Sequence, residues 1–467
     1  MTDLVAAVRR AAESWPDRIA WTFDPGVRLT FGDVDRLTAG YAQALRLRGI
    51  GAGDRVAVLL RNQPEFPLVW LALARLGAAM VPVNTRYRTV DAEHLLRDSG
   101  AVAVVTTEEF RPLVDPLGVP VLPMEDLEPE EGFEQRPVDP GAAVNIQYTS
   151  GTTGPPKGCV LSHRYWTTLG TSMVEEFPRL VADDVMLTAQ PFYYIDPQWN
   201  VVSALLAGAE LVVLDGFHPS SFWDKVREHR VTYFYCLGAM PTLLLRMPES
   251  PLDRSHRVRA VQCSAIPPSL HAVLEERWGV GWYEAFGMTE TGADIRVGAE
   301  EHDELVGTGC LGRPAAHREV KIVDGELLLR GPGMMDGYLG LPSVLRDGWF
   351  PTGDLARLDD QGRVYHLGRI KDMIRRSGEN IAAHEVEEVL MSHPAVTLAA
   401  VVGVPDEIRG EEVKAFVVGA VGQEELAAYC AERLASFKVP RYWEFRDDLP
   451  RTPSERVAKQ LLDRSAS

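Results

Sequence analysis

Two hydrophobic periodicities take turns along this chain. The stretch 94–99 reads as the end of a helix, and the unbroken apolar run Ala101-Val102-Ala103-Val104-Val105 after it reads as a strand. Residues 220–230 carry Phe222, Trp223 and Val226 on one helical face, behind Ser220, a residue type suited to cap a helix N-terminus. Thr232-Tyr233-Phe234-Tyr235-Cys236 then has strand character, and 240–247 reads as an apolar helix. The same helix-then-strand order returns at 270–283. Repeated alternation predicts an α/β architecture around largely buried sheets. From about Lys321 the texture changes to short, glycine-punctuated strands such as Val320-Lys321-Ile322-Val323 and Glu326-Leu327-Leu328-Leu329. A final segment has its own helix, strand and helix signals at 385–391, 398–402 and 424–434, and reads as a small separate domain.

Composition narrows the function classes. A chain of 467 residues is too long for one core, so two or three domains are expected, and 46% hydrophobic with 24% charged residues excludes wholesale disorder. Lys plus Arg is 48 against Asp plus Glu 66, a net charge of −18 with no long basic run. Nucleic acid and anionic membrane surfaces are therefore not expected partners. An anionic small ligand stays open, because backbone N–H groups and one Lys bind phosphate locally. The five cysteines are widely spaced without a C-x-x-C pair, which points to a reducing compartment. Arg9, Arg10, Asp17 and Arg18 stand where a secretory signal needs an apolar core, and Arg75 and Glu210 interrupt the longest apolar stretches. The expectation is a soluble cytoplasmic protein without a membrane span.

Chemistry concentrates in Tyr148-Thr149-Ser150-Gly151-Thr152-Thr153-Gly154-Pro155-Pro156-Lys157-Gly158. Hydroxyls and glycines follow the strand-like Ala143-Val144-Asn145-Ile146-Gln147 and run straight into Val160-Leu161. Such a loop can converge backbone N–H groups on an anion, and Lys157 adds a mobile charge. It lacks the Gly-Lys-Ser/Thr ending of a Walker loop.

These residues resemble the phosphate loop of the adenylate-forming superfamily of acyl-CoA synthetases, adenylation domains and luciferases. The resemblance continues in order through Phe286-Gly-Met-Thr-Glu290, Gly337-Tyr338, Trp349-Phe-Pro-Thr-Gly-Asp354, Gly368-Arg369-Ile-Lys371 and Ser377-Gly-Glu-Asn380, and covers nearly the whole chain. It implies a large N-terminal domain over 1–369, made of α/β subdomains plus a small β-barrel-like part. A small mobile α+β C-terminal domain over 370–467 follows, with its hinge near Lys371. The implied reaction is ATP plus a carboxylic acid giving an acyl-adenylate and pyrophosphate, with transfer of the acyl group to CoA. The loop from Thr149 through Ser150, Gly151, Thr152, Thr153 and Gly154, with Lys157, would hold the β- and γ-phosphates. Thr289 would reach the α-phosphate and Glu290 would ligate Mg²⁺. Glu284, Ala285, Phe286, Gly287 and Met288 would lie along the nucleotide, with Phe286 facing adenine. Asp354 would accept the ribose hydroxyls with help from Arg369, and Gly378 would let the pantetheine arm pass.

Three positions depart from the family pattern. The tail reads Leu449-Pro-Arg-Thr-Pro-Ser-Glu455-Arg456-Val-Ala-Lys459, so Arg456 stands in place of the catalytic Lys and Glu455 in place of a Gly. Arg keeps the charge in a different geometry, and Lys459 lies one turn away. The aromatic gate is Tyr194. Asp196 begins the expected substrate pocket beside Trp199; it either orders a turn before Pro197 or pairs a cationic substrate group. Gly238, Cys263, Ser264 and Ala265 complete the expected pocket. Ser221-Phe-Trp-Asp-Lys-Val-Arg and Leu237-Gly-Ala-Met240 look most like the crotonobetaine/carnitine-CoA ligase branch. Other readings are loading of a carrier protein, ATP-dependent activation of nitrite for attack by an arylamine, and a degenerate binding protein; assembly as a homodimer is open.

Overall fold

A computed structural model describes residues 3–149, 156–377, 379–451 and 457–465. Among them, thirteen strands form one continuous hydrogen-bonded path, seven a second sheet and five a third. The middle of the long sheet is parallel: Tyr233–Leu237, Ala260–Ser264 and Trp282–Met288 lie side by side, joined by the helices Met240–Leu245 and Pro268–Trp278. The sequence alternation predicted this order. The small antiparallel strands expected to be barrel-like, Cys310–Pro314 to Val364–Arg369, add to the edge of the same sheet through Gly292–Arg296. Ile295, Leu311, Leu327, Leu329, Ala356 and Val364 form their core.

The helix expected behind Ser220 spans Phe222–Glu228, with Ser221 at its N-cap position. Ser221 is already in αR geometry, and its N–H bonds His218 O at 3.1 Å, so neither serine hydroxyl is presented as an extended-backbone cap. This corrects the capping expectation.

The seven-stranded sheet carries the hairpin Ala143–Thr149 and Lys157–Ser162, with Thr149 directly opposite Lys157. A buried amide relay holds its first strand. Trp70 Nε1 donates to Asn145 Oδ1 at 2.7 Å, and Asn145 Nδ2 donates to Gln198 Oε1 at 2.8 Å. Gln198 Nε2 in turn donates to the carbonyls of Phe192 and Tyr194. The relay fixes the phosphate-loop strand against the segment that presents Tyr194.

The turn Ile370–Asp372 carries the chain from the long sheet into the five-stranded sheet, whose hairpin Val396–Asp406 and Gly410–Gly419 packs on Ala383–Met391. No helix of the described residues is long and apolar enough to cross a membrane.

Candidate active site

Strand Trp282–Met288 turns back into Gly292–Arg296, which places Thr289-Glu290-Thr291 at a hairpin tip. The turn is close: a Cβ on Gly287 would stand 2.1 Å from Gly292 O, so only glycine fits there. A buried clamp fixes the tip. Arg318 donates to Asp294 Oδ1 at 2.6 Å and to Thr291 O at 2.5 Å, and the Thr291 hydroxyl donates to the other Asp294 oxygen. Burial raises the Asp294 carboxyl to about 6, against the pull of Arg318.

Glu290 is buried, and its Oε1 accepts the Tyr338 hydroxyl at 2.8 Å. Lys157 Nζ stands 5.2 Å from the centre of the same tyrosine ring. Thr149, Lys157, Glu290 and Tyr338 are thus brought together from segments far apart in sequence. Ser150, Gly151, Thr152, Thr153, Gly154, Gly378 and Arg456 lie outside the described residues.

A second anchor is Asp354, which is 1% exposed. Glu326 accepts the Gly353 N–H and the Thr352 hydroxyl accepts the Asp354 N–H, so the Thr-Gly-Asp turn is fixed from below. Arg369 Nε donates to Asp354 Oδ1 at 2.7 Å, and His366 Nε2 lies 3.0 Å from the same oxygen. Asp354 Oδ2 is buried with no partner among the described residues. An orphaned carboxylate oxygen is costly unless a ligand donor meets it, and a ribose hydroxyl is such a donor. The Phe286 ring lies 6.5 Å from the His366 ring, on the path between the two anchors.

Residues 8–339 match the AMP-binding enzyme family, and residues 385–456 match the AMP-binding enzyme C-terminal domain. This chain belongs to the AMP-binding enzyme family. It is similar, at 33% identity over 465 residues and 93% of each chain, to a feruloyl-CoA synthase of an Amycolatopsis species. It is also similar to the crotonobetaine/carnitine–CoA ligase of Proteus mirabilis, at 31% identity over 469 residues and 89% of each chain. The o-succinylbenzoate CoA synthetase of Bacillus subtilis, solved with ATP and a magnesium ion, matches with a TM-score of 0.89 and 29% identity over 98% of each chain.

Beside its two anchors, this AMP-binding enzyme has a partly open cavity. Asp196, Trp199, Asn200 and Ser203 line it from successive turns of helix Ile195–Ala207, and Tyr233 and Tyr235 from alternate positions of one strand. Ala285, Phe286 and Gly287 form the wall that leads to Glu290. Gly238, Cys263, Ser264 and Ala265 do not line this cavity. Ser264 acts behind the wall: it donates to Ala285 O at 2.7 Å and receives the Tyr235 hydroxyl at 2.5 Å. Cys263 is fully buried, and burial holds its thiol well above the ordinary value. Ala265 has φ of +64°, and Glu284 accepts the N–H groups of Ala265 at 2.6 Å and Ile266 at 2.9 Å. Burial pushes the Glu284 carboxyl up to about 8 despite those donors. Glu284 thus orders the turn that supports the pocket. Tyr194 precedes helix Ile195–Ala207 and packs edge-on to Tyr193.

Sequence reasoning gave no role to Tyr338, His366 or Arg296. Tyr338 stood in a recognised Gly-Tyr pair, which was the available signal; nothing local marked the other two.

Proposed function

We propose that this protein is an ATP-dependent carboxylic acid–CoA ligase that forms AMP and pyrophosphate. The observation that carries the reading is the single strand Trp282–Met288. Its residues Ala285 to Gly287 wall the cavity, and it leads directly into Glu290 beside Lys157 and Tyr338.

Lys157 and Thr149 are the donors for the β- and γ-phosphates, and Thr289 meets the α-phosphate at the cavity mouth. Glu290 keeps one oxygen on Tyr338; the other accepts no hydrogen bond among the described residues and suits Mg²⁺, a hard cation that ligates oxygen. Mg²⁺ would screen the triphosphate charge when bound. Phe286 faces adenine, and Asp354 Oδ2 takes the ribose with Arg369 holding its other oxygen. Arg456 supplies tail charge where the acid's carboxylate attacks the α-phosphorus and pyrophosphate leaves. The CoA thiol then attacks the acyl carbonyl and AMP leaves. Lys371, in the turn between the two sheets, is the pivot for the step from adenylate to thioester.

Pyrophosphate release with a panel of carboxylic acids, with and without CoA, tests the reading. A phosphopantetheinylated carrier protein serves as the alternative acceptor, and nitrite with arylamines as a further arm. Acid-dependent pyrophosphate and CoA-dependent thioester are expected. Lys157→Ala and Thr149→Ala should each lose on the order of 2–4 kcal/mol of transition-state stabilisation. Wild-type pyrophosphate release in both variants would end the adenylation reading.

A further inference from the structure

Arg296 lines the cavity yet is 6% exposed, and no carboxylate among the described residues pairs with it. Its guanidinium donates to Phe177 O at 2.8 Å, Ser172 O at 3.3 Å and Ser172 Oγ at 3.0 Å, all neutral acceptors. Nη1 also lies 3.7 Å from the sulfur of Met173, another lining residue, so the charged head sits at the cavity wall. Nε makes no hydrogen bond among the described residues. Glu176, which accepts the Ala316 N–H and faces His317, and Asp294, clamped by Arg318, act on the guanidinium through space without a hydrogen bond to it. A buried guanidinium with open donor capacity and no carboxylate hydrogen-bonded to it is costly unless the site's occupant supplies an acceptor.

Position adds a length. Arg296 pairs in register with Ala285, at the end of the hairpin opposite the Thr289 tip. Thr289 is four residue steps on from Ala285, roughly 13 Å at the usual rise per residue. The guanidinium therefore lies at the far end of the cavity from the phosphates. Tyr233, whose hydroxyl donates to Gln262 Oε1 at 2.7 Å, adds a second polar group to this wall, and Trp199 and Phe286 supply flat apolar faces nearer the helix and the nucleotide.

We propose that Arg296 is a specificity residue that binds a second carboxylate at the far end of the acid substrate. The enzyme would then select elongated, aromatic-bearing dicarboxylic acids over their monocarboxylic counterparts. The proposal rests on the ligase reading for which carboxylate is activated, but not for the binding itself. Site-built hydrogen bonds reject an analogue that lacks the partner group, because the buried donor is left unpaired.

Calorimetric titration of the ATP-free enzyme with 4-carboxycinnamate and with cinnamate tests it, with pyrophosphate release followed on the same samples. The wild type should bind the diacid at least about tenfold more tightly, as expected for one charged hydrogen-bonded pair. Arg296→Met should bind the two acids equally, and Arg296→Lys should keep part of the preference. Arg296 also holds the Ser172 and Phe177 carbonyls, so circular dichroism checks each variant's fold. The wild-type comparison decides the question even if no variant folds. Equal binding by the wild type, or a preference that survives in folded Arg296→Met, would overturn the proposal. Selective binding without pyrophosphate release would overturn the ligase reading and leave the role of Arg296 standing.

Discussion

Glu290 shows how one side chain is made ready by another 48 residues away. The Tyr338 hydroxyl fixes one carboxylate oxygen; burial first, and then the neighbouring Glu290 charge, hold the tyrosine far above its ordinary pKa, so it stays a donor at any working pH. Tyr338→Phe keeps the ring beneath Lys157 and removes that donor. Loss of one hydrogen bond to a charged group is worth roughly 1.5–3 kcal/mol, so kcat/KM for MgATP should fall by about tenfold or more while binding of the acid is unchanged. Unaltered MgATP kinetics would show that Glu290 needs no such support. Lys157, Glu290, Phe286 and Asp354 could be singled out because each sits inside a contiguous motif that carries the family resemblance. His366 and Arg296 were not, since a lone His and a lone Arg in strands become meaningful only through partners brought in by distant segments. For Arg296 these are Ser172 and Phe177, more than a hundred residues earlier.

At the scale of elements, charged groups buried between strands and helices hold the site's scaffold. Arg318 and Asp294 are both 0% exposed, and with Thr291 they lock the hairpin that carries Glu290. Arg318→Met leaves a buried carboxylate without its cation, which typically costs 3–5 kcal/mol, about the same as breaking other buried pairs. The urea midpoint should drop accordingly, and Arg318→Met with Asp294→Leu should recover most of the loss. A second device lies on helix Pro268–Trp278. His271 Nδ1 accepts the Gly307 N–H and Nε2 donates to Trp282 O, so both ring nitrogens are committed to the fold, and the cluster with Glu275 and His302 is structural rather than a metal centre. Burial tends to raise the Glu275 carboxyl, but His271 at 3.6 Å and hydrogen bonds from His302 and the Trp282 N–H outweigh it and bring it from 4.5 down to about 2. A depressed carboxyl contributes stability that is fully present above pH 4.5 and lost as pH falls towards 2. Glu275→Gln should therefore lose roughly 3 kcal/mol at neutral pH and show a flatter stability curve between those pH values. An unchanged acid limb would rule the cluster out. Helix–strand alternation was readable at this scale because sheet burial leaves unbroken apolar runs. The cap at Ser220 was not, because the helix begins one residue later, behind a Ser221 in αR geometry. Nor could local periodicity show that strands 310–369 join the long sheet, since that depends on register between distant segments.

Across the whole molecule, the chain passes between the long and five-stranded sheets through Ile370–Asp372, and the contacts there define one arrangement of the two. Helix Ala383–Met391 packs on strand Val364–Arg369, the His384 ring stands 5.6 Å from that of His366, and Arg246 Nη2 reaches Thr397 O at 2.6 Å. Lys459 Nζ is held 2.7 Å from Glu387 and 3.7 Å from Asp372 at the turn itself, so in this arrangement it is a structural cation of the small sheet's side. Arg456 is the tail residue proposed above for adenylate formation. Arg456→Ala should slow acid-dependent pyrophosphate release yet spare thioester formation from supplied acyl-adenylate, and a defect confined to Lys459→Ala would reverse the assignment. The turn itself gives the sharper test. Proline at 371 fixes its own φ near −65° and biases Ile370 towards extended backbone, so it restricts the torsions a rotation must use. Lys371→Pro should therefore leave one half-reaction near its wild-type rate and cripple the other. Adenylate formation is the one expected to survive, because all of its proposed contacts except Arg456 lie before the turn. Rapid-quench measurement of the pyrophosphate burst against the thioester yield separates the two. Equal loss of both in a protein with intact circular dichroism would mean that the small sheet does not turn about Lys371.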